Sequence, residues 1–272
     1  MNLEKYFISQ FTNKNIGDDG AYINGYVYSK DAFFGNVHFK QKWMTFYQIA
    51  QKAMLVNISD AIAMNADPKY ALLSVAMPKD ITKSQMRELV AGFEETAALY
   101  GVEIIGGDTL SNTKLDITVI IISITKKPLR RTTIRTGMLV GYTGVLGNSM
   151  KDLKKVFNLG HLHKNSKFVS LKLRYEFIRK SARVLKAGMD ISDGLGDDLG
   201  KIASINKIGF KFFKSINKNI LCSGEEYEML VAFDKRDEKT IKRRAEQSRT
   251  QLTTFAQASR SRYTNRCKAH HF

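Results

Sequence analysis

The chain has 272 residues, room for one large domain or two small ones, and its 43% hydrophobic and 10% aromatic content excludes a disordered polymer. No apolar run approaches the roughly 18–20 residues of a membrane span, so no membrane partner is expected. The formal net charge is +17, most of it in residues 151–272. A field for phosphorylated ligands and nucleic-acid binding are both open, but no basic-aromatic nucleic-acid motif accompanies the charge.

Residues 1–12 read as a short amphipathic helix. Glu4 and Lys5 precede any apolar run, so no secretory signal is expected. Residues 16–20 form a turn, and 21–27 and 29–34 read as strands, the second entering a loop at 35–40. Residues 45–64 read as a helix, and 70–77, between Pro68 and Pro78, as a strand. A helix over 82–100 stops at Gly101. Residues 102–105 are a short strand ending in a Gly106-Gly107-Asp108 turn, and 116–125 a long β-branched strand. The basic stretch 126–135 marks a boundary, dividing the chain into domains 1–128 and 129–272. Beyond it come a strand at 138–143, a glycine loop at 141–147 with a helix after it, a basic helix at 171–185, a helix at 192–205 and a strand at 228–233. After Asp234 the patterning assigns no element. The alternation predicts an α/β (α+β) class. Cys222 and Cys267 suggest neither a disulfide framework nor a thiol zinc site, and suit a reducing cytoplasm.

The acidic residues are more informative than the basic ones. In so basic a chain they gather beside glycines: Asp18-Asp19-Gly20, Gly106-Gly107-Asp108, Asp190-Ile191-Ser192-Asp193-Gly194, Asp197-Asp198 and Gly224-Glu225-Glu226-Tyr227-Glu228. Short carboxylates beside a close-approaching backbone suit hard-cation ligation, although each motif alone also reads as a turn or a helix cap. Asp60 falls on the helical stripe Ile49, Ala53, Val56, Asp60. A buried carboxylate there has to be protonated, paired or metal-bound, unless the helix ends earlier and Ser59-Asp60 caps the next turn. Asp193 and Asp197, four apart, repel, with Lys201 the nearby cation. No Walker A loop, nucleophile elbow or His/Cys metal spacing is present, and His38 and the pair His270-His271 stand apart. The residues describe a Mg²⁺-dependent enzyme of phosphate chemistry.

The order of these motifs resembles the thiamine-monophosphate kinase family, in the aminoimidazole-ribonucleotide synthetase superfamily. Six blocks carry the likeness, in order: Ile16-Gly-Asp-Asp-Gly-Ala21; Asp31-Ala-Phe-Phe-Gly-Asn-Val-His-Phe39; Val56-Asn-Ile-Ser-Asp-Ala-Ile-Ala-Met64; Gly106-Gly-Asp-Thr109; Met189-Asp-Ile-Ser-Asp-Gly-Leu195; and Gly224-Glu-Glu-Tyr-Glu228. The resemblance implies ATP- and Mg²⁺-dependent phosphorylation of thiamine monophosphate to thiamine diphosphate. It also implies a two-domain fold whose N-terminal sheet contributes to a dimeric β-barrel, and hence a homodimer. By motif, Asp19, Ser29, Lys30, Asp31, Asp60, Asp108, Asp190 and Asp193 would bind Mg²⁺. Tyr100, Gly107, Asp108, Arg135 and Ser192 would contact ATP, and His38 and Glu225 the thiamine substrate. Asp60, Asp108 and Arg135 would carry the transfer.

The chain departs from the family in places. Glu226 stands for the family's Asp, and Arg174-Tyr-Glu-Phe-Ile-Arg179 lacks the family's prolines. In the tail, Ala269 stands where a stacking aromatic is usual, leaving His270 or Phe272 to substitute. The competing readings are another superfamily enzyme, or a basic nucleic-acid-binding protein on an inactive scaffold.

Overall fold

The computed structural model describes residues 3–267; Ala269, the pair His270-His271 and Phe272 lie outside the described residues. After helix α1 (Leu3–Ser9), strands β1 (Ala21–Ile23) and β2 (Tyr26–Phe34) form a hairpin. The strand expected over 21–27 is broken by Asn24 and Gly25, both at positive φ, as a tight two-residue turn demands. Helix α2 (Phe46–Ala63) begins with a reciprocal capping box between Thr45 and Gln48. Strand β3 (Asp67–Pro78), helix α3 (Lys83–Tyr100), strand β4 (Glu103–Asn112) and strand β5 (Asp116–Ile124) follow. The first sheet has the order β1-β2-β5-β3-β4, antiparallel except for the β3–β4 pair.

Gly106-Gly107-Asp108 is not the expected turn. It is the middle of β4, an edge strand in which Gly107 pairs with Leu73 and Asp108 with Ser74. A Cβ on Gly107 would collide with the Leu73 carbonyl oxygen, so the glycine permits the pairing.

The second half contains β6 (Leu139–Thr143), α4 (Asn148–Phe157), α5 (Tyr175–Ser181), β7 (Leu185–Ile191), α6 (Leu195–Asn206), β8 (Gly209–Phe212), α7 (Lys218–Leu221), β9 (Glu228–Phe233), α8 (Glu238–Gln247) and β10 (Leu252–Ser259). Its sheet has the order β7-β9-β6-β10-β8, antiparallel throughout. The basic helix expected over 171–185 shrinks to α5, because the chain turns at Ala182 and enters β7. That strand is almost wholly buried and so lacks the alternation that marks a half-exposed strand. The stretch after Asp234 holds α8 and β10, which the sequence left unassigned.

The class is therefore α+β with two sheets. One core runs through both halves, joining Ile58, Ile62 and Ile117 with Leu185, Met229 and Phe233. Helix α2 is its centre. It packs on β2 and β5 of the first sheet, on β7 of the second, and against α3. Every residue from Lys52 to Ala63 is buried, so the helix has no polar face, and its few polar side chains must find partners inside. Among the described residues no helix is long and apolar enough to cross a membrane. Cys222 and Cys267 are joined in a disulfide, which corrects the expectation that neither would pair. Chain folding brings together two residues that sequence distance kept apart.

Candidate active site

The buried polar residues of α2 organise the site. Asn57 accepts the Asp31 amide N–H through Oδ1 at 2.6 Å, and its own carbonyl accepts the Ser29 hydroxyl at 3.3 Å, fixing β2 on the helix. Ser59 donates to Asp190 Oδ2 at 2.8 Å, tying the helix to the end of β7. Asp60 lies between these contacts. Oxygens of Asp19, Asp60 and Asp190 come within 4.8 Å of one another. The helix therefore runs through Asp60, and the carboxylate lies inside.

Burial first, then the negative charges of Asp31 and Asp190, pushes the Asp60 carboxyl well above the usual range. Burial and the charge of Asp19 do the same to Asp190. Asp31 rises to about 6, from burial and from Glu225 nearby. Such acids are poised to exchange a proton for a cation. The fit to a hard divalent ion is direct: all donors are oxygens, they converge, and Asp19 Oδ2 is buried with no hydrogen-bond partner.

Arg131 lies beside this centre. Its guanidinium pairs with Asp19, and its amide N–H donates to Asp18 Oδ1 at 2.7 Å. The attraction of Asp19 and Asp190 holds it charged despite its burial. Nothing in the motif pattern marks this residue, because Arg131 stands in a basic run beside Arg130. Arg135, four residues on, is exposed.

A cavity of about 460 Å³ is lined by the polar residues Ser192, Asp193, Glu225 and His38, by Gly224, and by Trp43, Leu153, Phe157 and Phe168. Ser192 and Asp193 belong to the segment that follows Asp190, so the cavity is continuous in sequence with the acidic centre. The Glu225 loop docks there through its amide N–H on the Ser192 carbonyl at 2.7 Å. Glu225 has φ +58°, a left-handed conformation rare for a long side chain and common where function holds a residue in place. Burial pushes the Glu225 carboxyl up, but the Lys52 ammonium at 2.7 Å outweighs it and leaves the group below its ordinary value. Lys52 is fully buried in α2, its ammonium 3.6 Å from the centre of the Phe168 ring. The signal for it was a lone lysine within an apolar helix. His38 accepts the Phe34 amide N–H on Nδ1 at 2.9 Å.

The remaining acids of the last motif hold the frame. Glu226 accepts amide N–H groups from Gly147 and Ser149 at the start of α4 and pairs with Lys167. Glu228 takes Arg174 at 2.6–2.7 Å and Lys167 at 3.0 Å.

The structure thus brings Asp19, Ser29, Asp31, Asp60 and Asp190 around α2, and His38, Ser192, Asp193 and Glu225 around the cavity. Lys30 is exposed on β2, between Ser29 and Asp31. Asp108 is exposed on the edge strand and accepts the Thr109 amide N–H. Tyr100 lines a separate cavity with Leu173 and Arg174. One chain does not bring Gly107, Asp108, Tyr100 or Arg135 to the acidic centre.

The family model of the AIR synthase related protein, N-terminal domain, matches residues 17–125, the part of the chain that holds the first sheet and helix α2. The thiamine-monophosphate kinase of Buchnera aphidicola subsp. Schizaphis graminum is 30% identical over 265 residues, covering 84% of this chain and 79% of that protein. That of Leptospira interrogans is 28% identical over 241 residues, covering 78% and 76%. A solved structure of AaThiL complexed with AMPPCP and TMP superposes with a TM-score of 0.84 at 22% identity, over 96% of this chain and 91% of that one. The chain belongs to the thiamine-monophosphate kinase family.

Proposed function

We propose that this protein transfers the terminal phosphoryl group of ATP directly to thiamine monophosphate, giving thiamine diphosphate and ADP. The observation that carries the reading is the convergence of Asp19, Asp60 and Asp190 next to a cavity walled by His38 and Glu225. Membership of the family and the likeness to a structure holding AMPPCP and TMP support it.

The acceptor is itself a phosphate, anionic at neutral pH, so no strong general base is needed. The barrier lies in bringing polyanions together in line. Asp19, Asp31, Asp60 and Asp190 would hold Mg²⁺, with the Ser29 hydroxyl and the Lys30 backbone as further ligands and with Asp108, beside Gly107, reaching the ion from a second copy. Bound there, Mg²⁺ neutralises phosphate charge and aligns the reacting groups. Arg131, beside the centre, joins Arg135 as a cation for the ATP phosphates, and Tyr100 contacts the nucleotide. Gly107 lets the backbone approach phosphate, and Ser192 lines the same path. Glu225, kept ionised by Lys52, accepts hydrogen bonds from the aminopyrimidine, and His38 contacts the substrate phosphate. Trp43 and Phe157 supply apolar wall.

We divide the chain into domains 1–128 and 129–272, a reading supported by one sheet lying on each side of that boundary. The first sheet leaves Tyr26, Tyr28, Tyr70 and Ile124 exposed, an apolar patch that a second copy would cover, as a homodimer with a shared barrel requires.

A single-turnover reaction with terminally labelled ATP tests this proposal. Label passing into thiamine diphosphate, with none held on the protein, is expected. Labelled protein on the reaction path, or no labelled thiamine diphosphate, would sink it.

A further inference from the structure

We infer that Lys201 takes the place of a metal ion at Asp193, so that a carboxylate which the family resemblance marks as a metal ligand is held instead by an ammonium built into the chain. The inference rests on the proposed metal centre only for the ions bound elsewhere.

Asp193 and Asp198 flank the start of α6, with Gly194 at φ +103° turning the chain between them. Crowded acids in a first helical turn need a cation or full solvation. Asp198 has no solvation: its side chain is fully buried. Lys201 lies one turn further along, and helical side chains lean toward the N-terminus, so its arm reaches back over that turn. Its ammonium donates to Asp193 Oδ2 at 2.6 Å and to Asp198 Oδ1 at 2.8 Å, distances typical of charge-assisted bonds. Asp197, the other acid of the turn, faces away and accepts from Asn265 Nδ2 at 2.6 Å.

Asp193 therefore already shares a cation with Asp198. A Mg²⁺ ion bound to the same Asp193 oxygen, at about 2.1 Å, would lie less than about 5 Å from the ammonium, and the two positive charges would repel. Asp193 also does not join the oxygens that converge. Among the described residues only Asp19, Asp60 and Asp190 form a group with metal-like spacing. Asp19 Oδ2 and Asp198 Oδ2 are both buried without a hydrogen-bond partner, but Asp19 belongs to the convergent group and Asp198 does not. The cavity wall at Ser192-Asp193 is thus set in place without a divalent ion.

Counting Mn²⁺ ions per full-length chain by equilibrium dialysis, without nucleotide, tests this directly. Asp193→Asn is expected to bind as many ions as the wild type. Lys201→Met is expected to bind one more, Lys201→Arg to keep the wild-type number, and Asp193→Asn added to Lys201→Met to remove the gained ion. A lost ion in Asp193→Asn overturns the inference, and so does a Lys201→Met protein with an unchanged count. If Lys201→Met fails to fold, Asp193→Asn alone decides. Asp60→Asn is the control: if it loses no ion, the metal-centre reading fails, whatever the Asp193 result.

Discussion

Replacing Asp60 by Asn keeps the side chain's shape and removes one of three negative charges whose oxygens lie within 4.8 Å of one another. At that spacing two full charges repel by about 3.5 kcal/mol at an effective dielectric near 20. Protonation relieves part of this, because burial and mutual repulsion already hold Asp60 and Asp190 well above the usual carboxylate range, and Arg131 relieves more. The metal-free variant is therefore expected to be more stable than the metal-free wild type by about 1–3 kcal/mol, at roughly 2–4 °C per kcal/mol for a chain of this size. Mg²⁺ should reverse the order, since the wild type gains the ion and the variant does not. Thermal scans in EDTA and in Mg²⁺ read both effects. Thiamine diphosphate formation should fall by about 100-fold or more. A variant less stable than the wild type in EDTA, or one that keeps both the wild-type Mg²⁺ shift and its turnover, refutes the reasoning.

Asp31, Asp60 and Asp190 all titrate higher in the fold than in the unfolded chain, so their contribution to stability is present below the unfolded value near 4 and is lost as pH rises through about 6 and beyond. Melting temperature in EDTA should thus rise from pH 7.5 to pH 5.5, while the Mg²⁺-induced shift shrinks; a flat profile in both would contradict the carboxylate centre. Arg131→Met and Arg135→Ala are each expected to lower kcat/KM for ATP at least about tenfold, as steady-state kinetics would show. Lys52→Met leaves the half-buried Glu225 without its cation, and should cost about 1–3 kcal/mol in urea unfolding and raise KM for thiamine monophosphate. The Cys222–Cys267 disulfide closes a loop of 45 residues, so thiol titration of the denatured protein should find no thiol before reduction and two after it, with a loss of about 2–4 kcal/mol on reduction.

Caps and β-branched runs marked the long elements well. Helices α2 and α3 and strand β5 lie within a residue or two of their expected bounds, because caps at Thr45, Thr82 and Gly101 and a β-branched run leave little choice. Periodicity failed where burial or glycine blurs the pattern. Strand β7 is buried on both faces and reads as an extension of a helix, and the glycines of β4 read as a turn although they serve close strand pairing. The acidic centre was legible because carboxylates beside glycine, and one on an apolar stripe, are costly unless something pays for them. The residues that balance those acids were harder to see. Arg131 is one arginine in a basic run, and Lys52 is one lysine whose partner lies more than 170 positions away in the chain. Their roles come from the packing of α2 between two sheets, which only the folded chain displays.

The most direct test of the account is the ratio of ADP to thiamine diphosphate formed by the purified protein with Mg²⁺ and ATP, measured by chromatography with and without thiamine monophosphate. The account predicts one ADP for each thiamine diphosphate, and neither product when Mg²⁺ or the monophosphate is left out. ADP released without thiamine monophosphate, or no thiamine diphosphate at all, would contradict it.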